Sequence, residues 1–405
     1  MKTALFISKK LFNNNQTPAN KASIKLACLA LLLSVITSIV AFGISSGFKS
    51  EIVNKIKGVS GNLYIRIASL SRSLEDLPIK NSDEIINEIL IGNSQIEHFQ
   101  KFATKTSVLV KNRDIEGIII KGIDDNFSYK FFNKLMVKGR FINYNESNVN
   151  EIVLPITIAN KLDIDTNEYI TAYFTDTNLK TRILKVVGIY STDIADIDNI
   201  YAYSNIKLIQ KINNWHNGQI NGIEIFLKND NISKKVSDEL TLNLPGNLIA
   251  YSDKELFPQI FDWLNLIDKN SIIILSLMLM VSVINLISSF FIIIIEKTSV
   301  IGLFKAFGFP DSLVRKIFIY NIMRLMNRYL ILGNLIGISI CLIQQKFKLI
   351  KLDSSAYFVK FIPIQLDILT LIYINLAIEI AIMLTLYIVS LKIIKIHPVN
   401  NLNLK

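Results

Sequence analysis

The chain has 405 residues, 51% of them hydrophobic and 19% charged, with a formal net charge of +11. Soluble domains carry roughly 25% charged residues, so this composition excludes an ordinary soluble protein or a disordered chain and puts an integral membrane protein first. The charge is uneven: Lys49 to Asp268 holds 25 Lys and Arg against 28 Asp and Glu, a net of −3, and the remainder holds 19 against 5, a net of +14. A basic excess confined to the apolar parts points to anionic lipid and insertion topology rather than to nucleic acid.

Residues 1–25 form a basic N-terminal segment containing Lys9, Lys10, Lys21 and Lys25. The uncharged run 26–48 is long enough to span a bilayer, which takes roughly 20 residues, and lacks a small-x-small cleavage site, so it reads as an uncleaved first transmembrane helix. Cys28 is not a lipidation site, because Lys25 precedes it closely and the apolar stretch follows it.

Residues 49–268 read as a large α+β domain. Compact β-branched or period-two stretches fall at 62–67, 106–110, 117–123, 169–174, 182–189 and 222–227. Ser82 to Leu90 reads as a helix, with Asp83 and Glu84 in its first turn and Ile85, Ile86, Ile89 and Leu90 on one face. Cys28 and Cys341 both lie in apolar runs, so the domain folds without a disulfide. His98, His216 and His397 have no companions at metal-ligand spacing.

The second span is 269–295, within which Ser271 to Ile295 has no ionisable group. A segment at 296–320 follows, then a third span at 321–345 with Arg324 and Arg328 one turn apart near its start, where they can snorkel to head groups. A loop at 346–363, a fourth span at 364–391 interrupted by Glu379, and a tail at 392–405 complete the chain. Five Lys/Arg up to Lys25, six from Glu296 to Arg328 and three in the tail predict cytoplasmic termini by the positive-inside rule, with the α+β domain and the 346–363 loop outside. Lys346, Lys348, Lys351 and Lys360 in that loop run against the rule, and the even helix count outweighs them. Glu379 needs protonation or a polar partner such as Asn375 or a neighbouring subunit. The expected fold is thus an α-helical membrane protein with four transmembrane helices and an α+β extracytoplasmic domain inserted between helices 1 and 2.

Gly43 to Ser50 looks superficially like a phosphate loop, but Phe48 stands where a glycine must precede the lysine, and the segment follows an apolar helix instead of a buried strand. No nucleotide site is expected on this chain. The stretch from Glu296 to Gly308 is a short amphipathic helix carrying Val300, Ile301, Leu303, Phe304, Ala306 and Phe307, broken by Pro310. It either lies on lipid or docks in a groove of a cytoplasmic partner.

Glu296, Lys297, Ile301, Gly302, Lys305, Ala306 and Gly308 form a pattern that resembles the signature after the second transmembrane helix of FtsX/MacB-type ABC transporter permeases. The order of one helix, a large domain and three helices matches too. Within that family the chain is most similar to the permease of the lipoprotein-releasing complex, through Ser46 to Phe48, Lys121 to Ile123, Asp268 to Asn270, Asn285, Gly333, Asn334, Gly337, Gln344, Tyr357 to Pro363 and Pro398. The resemblance implies a bacterial inner-membrane permease paired with a second permease copy or paralogue. Two ABC ATPase subunits would carry the ATP and Mg, no cofactor sitting on this chain. Glu296, Lys297, Ile301, Gly302, Leu303, Lys305, Ala306 and Gly308 would couple to the ATPase. The implied cargo is a lipoprotein, passed to a periplasmic carrier. Its acyl chains would enter past Phe48, Phe257, Phe261, Trp263 and Leu264, which equally suit an ordinary interfacial aromatic belt. An efflux or mechanotransmission permease of the same family, or a non-transporting membrane scaffold, are the alternatives, and the coupling helix is what a scaffold would not need.

Overall fold

The computed structural model describes residues 18–68, 77–144, 149–174, 179–216 and 218–391. The residues beyond, including most of the N-terminal segment and the 392–405 tail with Pro398, lie outside the described set. Eight helices are labelled here: α1 (Pro18–Ser60), α2 (Tyr129–Leu135), α3 (Ile206–Asn213), α4 (Ser233–Asn243), α5 (Pro258–Glu296), α6 (Thr298–Ala306), α7 (Asp311–Phe347) and α8 (Ile368–Ser390). Two compact units emerge. One contains the chain up to Ser50, Trp263–Lys351 and the chain from Ile362; the other contains Glu51–Asp262 and Leu352–Phe361.

The first unit is helical. Among the described residues four helices are long and apolar enough to cross a membrane: α1 from Lys25, α5, α7 and α8. The helices α1, α5 and α7 extend beyond their apolar runs, because hydropathy marks only the residues that suit lipid and not where the backbone hydrogen bonding ends, whereas α8 lies within its run at 364–391. Residues 311–320, which precede the third run, are accordingly part of α7. Small residues let the helices approach. A Cβ at Gly333 would sit 2.9 Å from the Val35 Cβ, and one at Gly337 3.2 Å from the Ile39 Cδ1, so a glycine pair four residues apart seats α1 against α7. Uncharged polar pairs add to this. Ser34 and Ser282 hydroxyls meet at 2.6 Å between α1 and α5, and the Asn334 and Asn375 amides exchange two hydrogen bonds, at 2.6 and 2.8 Å, between α7 and α8.

The second unit is an α+β domain built on one mixed sheet. Its strands are β1 (Leu63–Ile67), β2 (Ile96–Lys111), β3 (Asp114–Ile123), β4 (Met136–Gly139), β5 (Glu151–Pro155), β6 (Tyr169–Phe174), β7 (Lys180–Tyr190), β8 (Tyr201–Asn205), β9 (Gly222–Leu227) and β10 (Leu248–Ser252). The order is β10-β1-β9-β2-β3-β8-β5-β7-β4, with β6 bridging β2 and β7. The β3/β8 and β5/β7 pairs are parallel and the rest antiparallel. All six stretches read as strands from the sequence lie in strands. Four others, β4, β5, β8 and β10, were not read, since each has five residues or fewer and too few turns of the period-two pattern to register. Ser82–Ile85 is α-helical as expected, but Ile86–Leu90 widens to a π turn that still buries Ile86 and Leu90.

Two apolar centres hold the sheet domain. An aliphatic core runs along one face of the sheet through residues such as Leu63, Ile120, Leu154 and Ile225, covered by Ile209 of α3. Beside it Phe127, Phe132, Phe141, Tyr190 and Tyr203 pack with ring centroids 4.7 to 6.3 Å apart, a spacing that suits edge and offset contacts.

Candidate functional site

The segment after the second span is shaped by its ends. Lys297 caps α6 in a non-helical conformation, and the Thr298 hydroxyl bonds back to the Ile294 and Ile295 carbonyls at 3.0 and 2.7 Å. At the other end Gly308 takes φ +79°, a left-handed conformation that suits glycine, and the Phe309 amide reaches the Phe304 carbonyl at 3.0 Å to close the helix. Pro310 then opens α7 with φ −66°. The Phe304 and Phe309 rings meet across this turn, tilted, with centroids 5.3 Å apart.

These constraints divide the predicted coupling residues. Ile301 is fully buried in the helical core with Val314 and Phe318, and Gly302 is buried with it. Lys305 is largely covered and pairs with Asp311 at 2.9 Å, so it braces the turn into α7 instead of projecting outward. Leu303, Ala306 and Gly308 are exposed. The Glu296 side chain lies outside the described residues. Phe307, absent from the family pattern, is the most exposed apolar group of the segment at 71%. Together Leu303, Ala306 and Phe307, at i, i+3 and i+4, make one uncovered apolar face. The amphipathic reading of the sequence contained the signal for Phe307; the family signature did not.

The aromatic residues at the head of the second span are placed differently. Phe48 and Trp263 meet edge to face, centroids 5.8 Å apart, with Phe48 only 7% exposed. Leu264 is buried. Next to them Asp268 accepts from the Ser45 hydroxyl at 2.7 Å and pairs with Lys49 at 2.8 Å, tying α1 to α5. Phe257 and Phe261 are half-buried and belong to the sheet unit, Phe257 by a hydrogen bond from its amide to the Asp253 carbonyl at 2.9 Å. Phe48 and Leu264 are thus packed residues rather than an open mouth. Glu379 is half-buried and has no ion pair among the described residues. Asn375, proposed as its partner from sequence, is committed to Asn334 instead.

Lys121, met in sequence only as part of a short family stretch, proves central to the domain. It forms a buried ion pair with Glu224, and its Nζ also donates to the Val59 carbonyl in the last turn of α1 at 3.2 Å. The rings of Tyr64, Phe102 and Tyr203 surround it at 5.8, 5.3 and 5.8 Å. Glu224 accepts in addition from the Gln100 amide at 2.7 Å. Burial and the neighbouring Glu224 push the Tyr64 hydroxyl well above its ordinary pKa.

A family model for the MacB-like periplasmic core domain matches residues 26–242, and one for the FtsX-like permease C-terminal region matches 272–398. The chain belongs to the FtsX/MacB-type family of ABC transporter permeases. The permease is 22% identical over 96% of its length to the lipoprotein-releasing system transmembrane protein LolE of Haemophilus influenzae, covering 96% of that protein. It is 25% identical over 95% of its length to LolC of Buchnera aphidicola, covering 94% of that one. Among solved structures, the periplasmic region of MacB from Actinobacillus actinomycetemcomitans matches 52% of the permease and 97% of its own chain, at 15% identity and a TM-score of 0.37.

Proposed function

We propose that this permease couples ATP hydrolysis on a separate subunit to the extraction of lipoproteins from the bacterial inner membrane and their hand-over to a periplasmic carrier. The observation that carries the reading is the nearly full-length likeness to two lipoprotein-releasing transmembrane proteins. In this reading both termini are cytoplasmic and the sheet domain is periplasmic, which the basic tallies of the N-terminus, the 296–328 segment and the tail support. ATP and Mg are held by the ATPase, and a second permease copy or paralogue completes the membrane unit.

The coupling role falls to α6. Leu303, Ala306 and Phe307 are the contact face, and Ile301, Gly302 and Lys305 set its pose from within. Glu296 and Lys297 end the span and Gly308 turns the chain. An apolar face of this kind gains affinity by filling a groove, which an unpaired buried charge would oppose. Acyl chains meet the permease at Phe257, Phe261 and Trp263, with Phe48, edge to face on Trp263, and the buried Leu264 completing the entrance. Their binding draws on apolar burial at roughly 25 cal/mol per Å².

Photo-crosslinkers at Phe261 and Trp263 test the cargo. They are expected to capture triacylated proteins of varied sequence, to ignore the same proteins without acyl chains, and to release the captured species on ATP turnover. Capture of small amphiphilic drugs alone moves the permease to the efflux branch, and no capture with an idle ATPase makes it a scaffold. Phe307→Asp is expected to leave the permease inserted and folded while reducing lipoprotein release at least tenfold; normal release would remove α6 from the contact.

A further inference from the structure

A cavity of about 880 Å³ lies wholly within the sheet unit, of the size that holds small ligands, roughly 300–1,000 Å³. Its walls come from the last turns of α1, the start of β2, the stretch from Ser128 through α2 to Val137, the loop at Ser191 and Asp193, and residues 359–361. Five lysines and three acids line it. Most are already neutralised: Asp193 pairs with Lys55 at 3.2 Å and with Lys360 at 3.1 Å, and Lys57 pairs with Asp230 at 2.9 Å and lies 4.0 Å from Glu97.

The uncommitted groups define what the cavity can hold. Lys130 and Lys134 stand one turn apart on α2, both exposed, and neither has an ion pair among the described residues. The His98 Nε2 is buried without a hydrogen-bond partner, its ring set between Phe99 and Phe226 at 6.5 and 5.6 Å. The Ser128 hydroxyl makes no capping bond, although serine in that position ordinarily does. Against these donors stands one uncommitted acid, Glu51. Between them lie Phe131, the half-exposed Val137, and Phe361.

We propose that this cavity binds the phosphate group of an amphiphile. A tetrahedral phosphate, even as a diester, sets its two free and two esterified oxygens out of one plane and so can accept from donors that arrive from two separate elements, Lys130, Lys134 and Ser128 on one and His98 on the other; a carboxylate holds its two oxygens in a single plane. The orphaned His98 nitrogen gains a partner, which removes the penalty of a buried unpaired polar atom. The aromatic and aliphatic wall covers the glycerol and first acyl carbons of a lipid, which makes a lipid headgroup the better source than free phosphate. The proposal stands apart from the lipoprotein reading, because binding here needs neither the ATPase nor acylated cargo.

The test titrates the full-length permease, in an uncharged maltoside detergent, with dihexanoyl phosphatidylglycerol below its micelle concentration, with glycerol phosphate and with inorganic phosphate. The short-chain lipid is expected to bind at least tenfold tighter than glycerol phosphate, identifying a lipid source. Equal binding of lipid and glycerol phosphate keeps the phosphate site and assigns it a soluble ligand. Lys130→Glu/Lys134→Glu, two exposed positions, should weaken binding on the order of tenfold or more, as loss of charge-assisted hydrogen bonds predicts. Lys211→Glu/Lys254→Glu, an equal charge change on residues that do not line the cavity, should leave it unchanged. No binding of any probe, or equal losses in the two double variants, overturns the proposal.

Discussion

The helical unit and the sheet unit solve the burial of polar groups in opposite ways. In the helical unit the polar pairs within the apolar stretches are neutral and small, serine to serine, asparagine to asparagine, and glycine where backbones touch, while its ion pairs, Lys49–Asp268 and Lys305–Asp311, sit at helix ends with at least one partner partly exposed. In the sheet unit a full ion pair, Lys121–Glu224, is buried to 4% and 0% exposure and wrapped in rings. The difference follows from what else is available. A sheet supplies carbonyls, amides and aromatic faces around a buried charge, so its hydrogen-bonding valences can be met; helices spend their backbone groups internally and offer little beyond small side chains.

The comparison breaks first at Lys121. Lys121→Ala leaves Glu224 charged and buried and uncaps the Val59 carbonyl, and breaking such a pair costs about 3–5 kcal/mol. Urea unfolding of a Trp263→Phe background, in which Trp215 alone reports on the sheet unit, measures it. Lys121→Met/Glu224→Met, which removes both charges, should recover most of the loss. A double variant as unstable as Lys121→Ala would mean that the hydrogen bonds, and not the unpaired charge, dominate.

How much of this could be read beforehand depended on length and on contact. A span needs only an uninterrupted apolar run, so the four long helices were legible from Leu26, Ser271, Tyr329 and Ile364 onward. The strands that repeat their pattern were legible too, whereas Glu151–Pro155 and Tyr201–Asn205 owe their strand form to neighbours on both sides in the sheet, which no local pattern shows. The coupling segment was found by its signature, but which of its residues face outward was not, because Lys305 turns inward only through Asp311, six residues on. The Lys121 pair spans 103 positions of sequence and left no local trace.

A second contrast concerns pH and sharpens the electrostatic side of the comparison. Asp124 is 5% exposed, its Oδ2 accepts from the Lys101 amide at 3.2 Å, its Oδ1 has no partner, and burial pushes its pKa up to about 7. Burial also raises Asp198 and Asp253 in the same unit. An acid whose folded pKa is raised contributes stability that is fully present below its unfolded value, near 3.8, and is lost as pH rises through about 7. Asp124→Asn is therefore expected to stabilise the sheet unit at pH 8, on the order of 1–3 kcal/mol, and to give a distinctly smaller gain at pH 5, part-way through the window between the unfolded and folded values. The exposed carboxylates Asp165 and Glu168, held low by the Lys138 and Lys111 side chains, oppose the trend and keep it from being uniform. Melting temperatures of the two proteins at the two pH values decide it; a gain of the same size at both would remove Asp124 as the titrating group.

The smallest effect is expected where the helical unit looks most specific. The reciprocal Asn334–Asn375 amides satisfy one another completely across α7 and α8, and intuition from soluble proteins would rank them beside the buried ion pair. Each amide, however, also bonds a carbonyl one turn back on its own helix, Asn334 to Leu330 and Asn375 to Leu371, both at 2.8 Å. A helix freed from its neighbour keeps that local bond, so the reference state is not an unsatisfied amide in hydrocarbon. Interhelical hydrogen bonds in such settings average about 0.6 kcal/mol. Asn375→Ala should accordingly lower the stability of the bundle by about that amount in a steric-trap or detergent unfolding measurement, several-fold less than Lys121→Ala in the sheet unit. A loss as large as that of Lys121→Ala would show that the local carbonyl bonds do not compensate, and that the two units treat buried polarity alike after all.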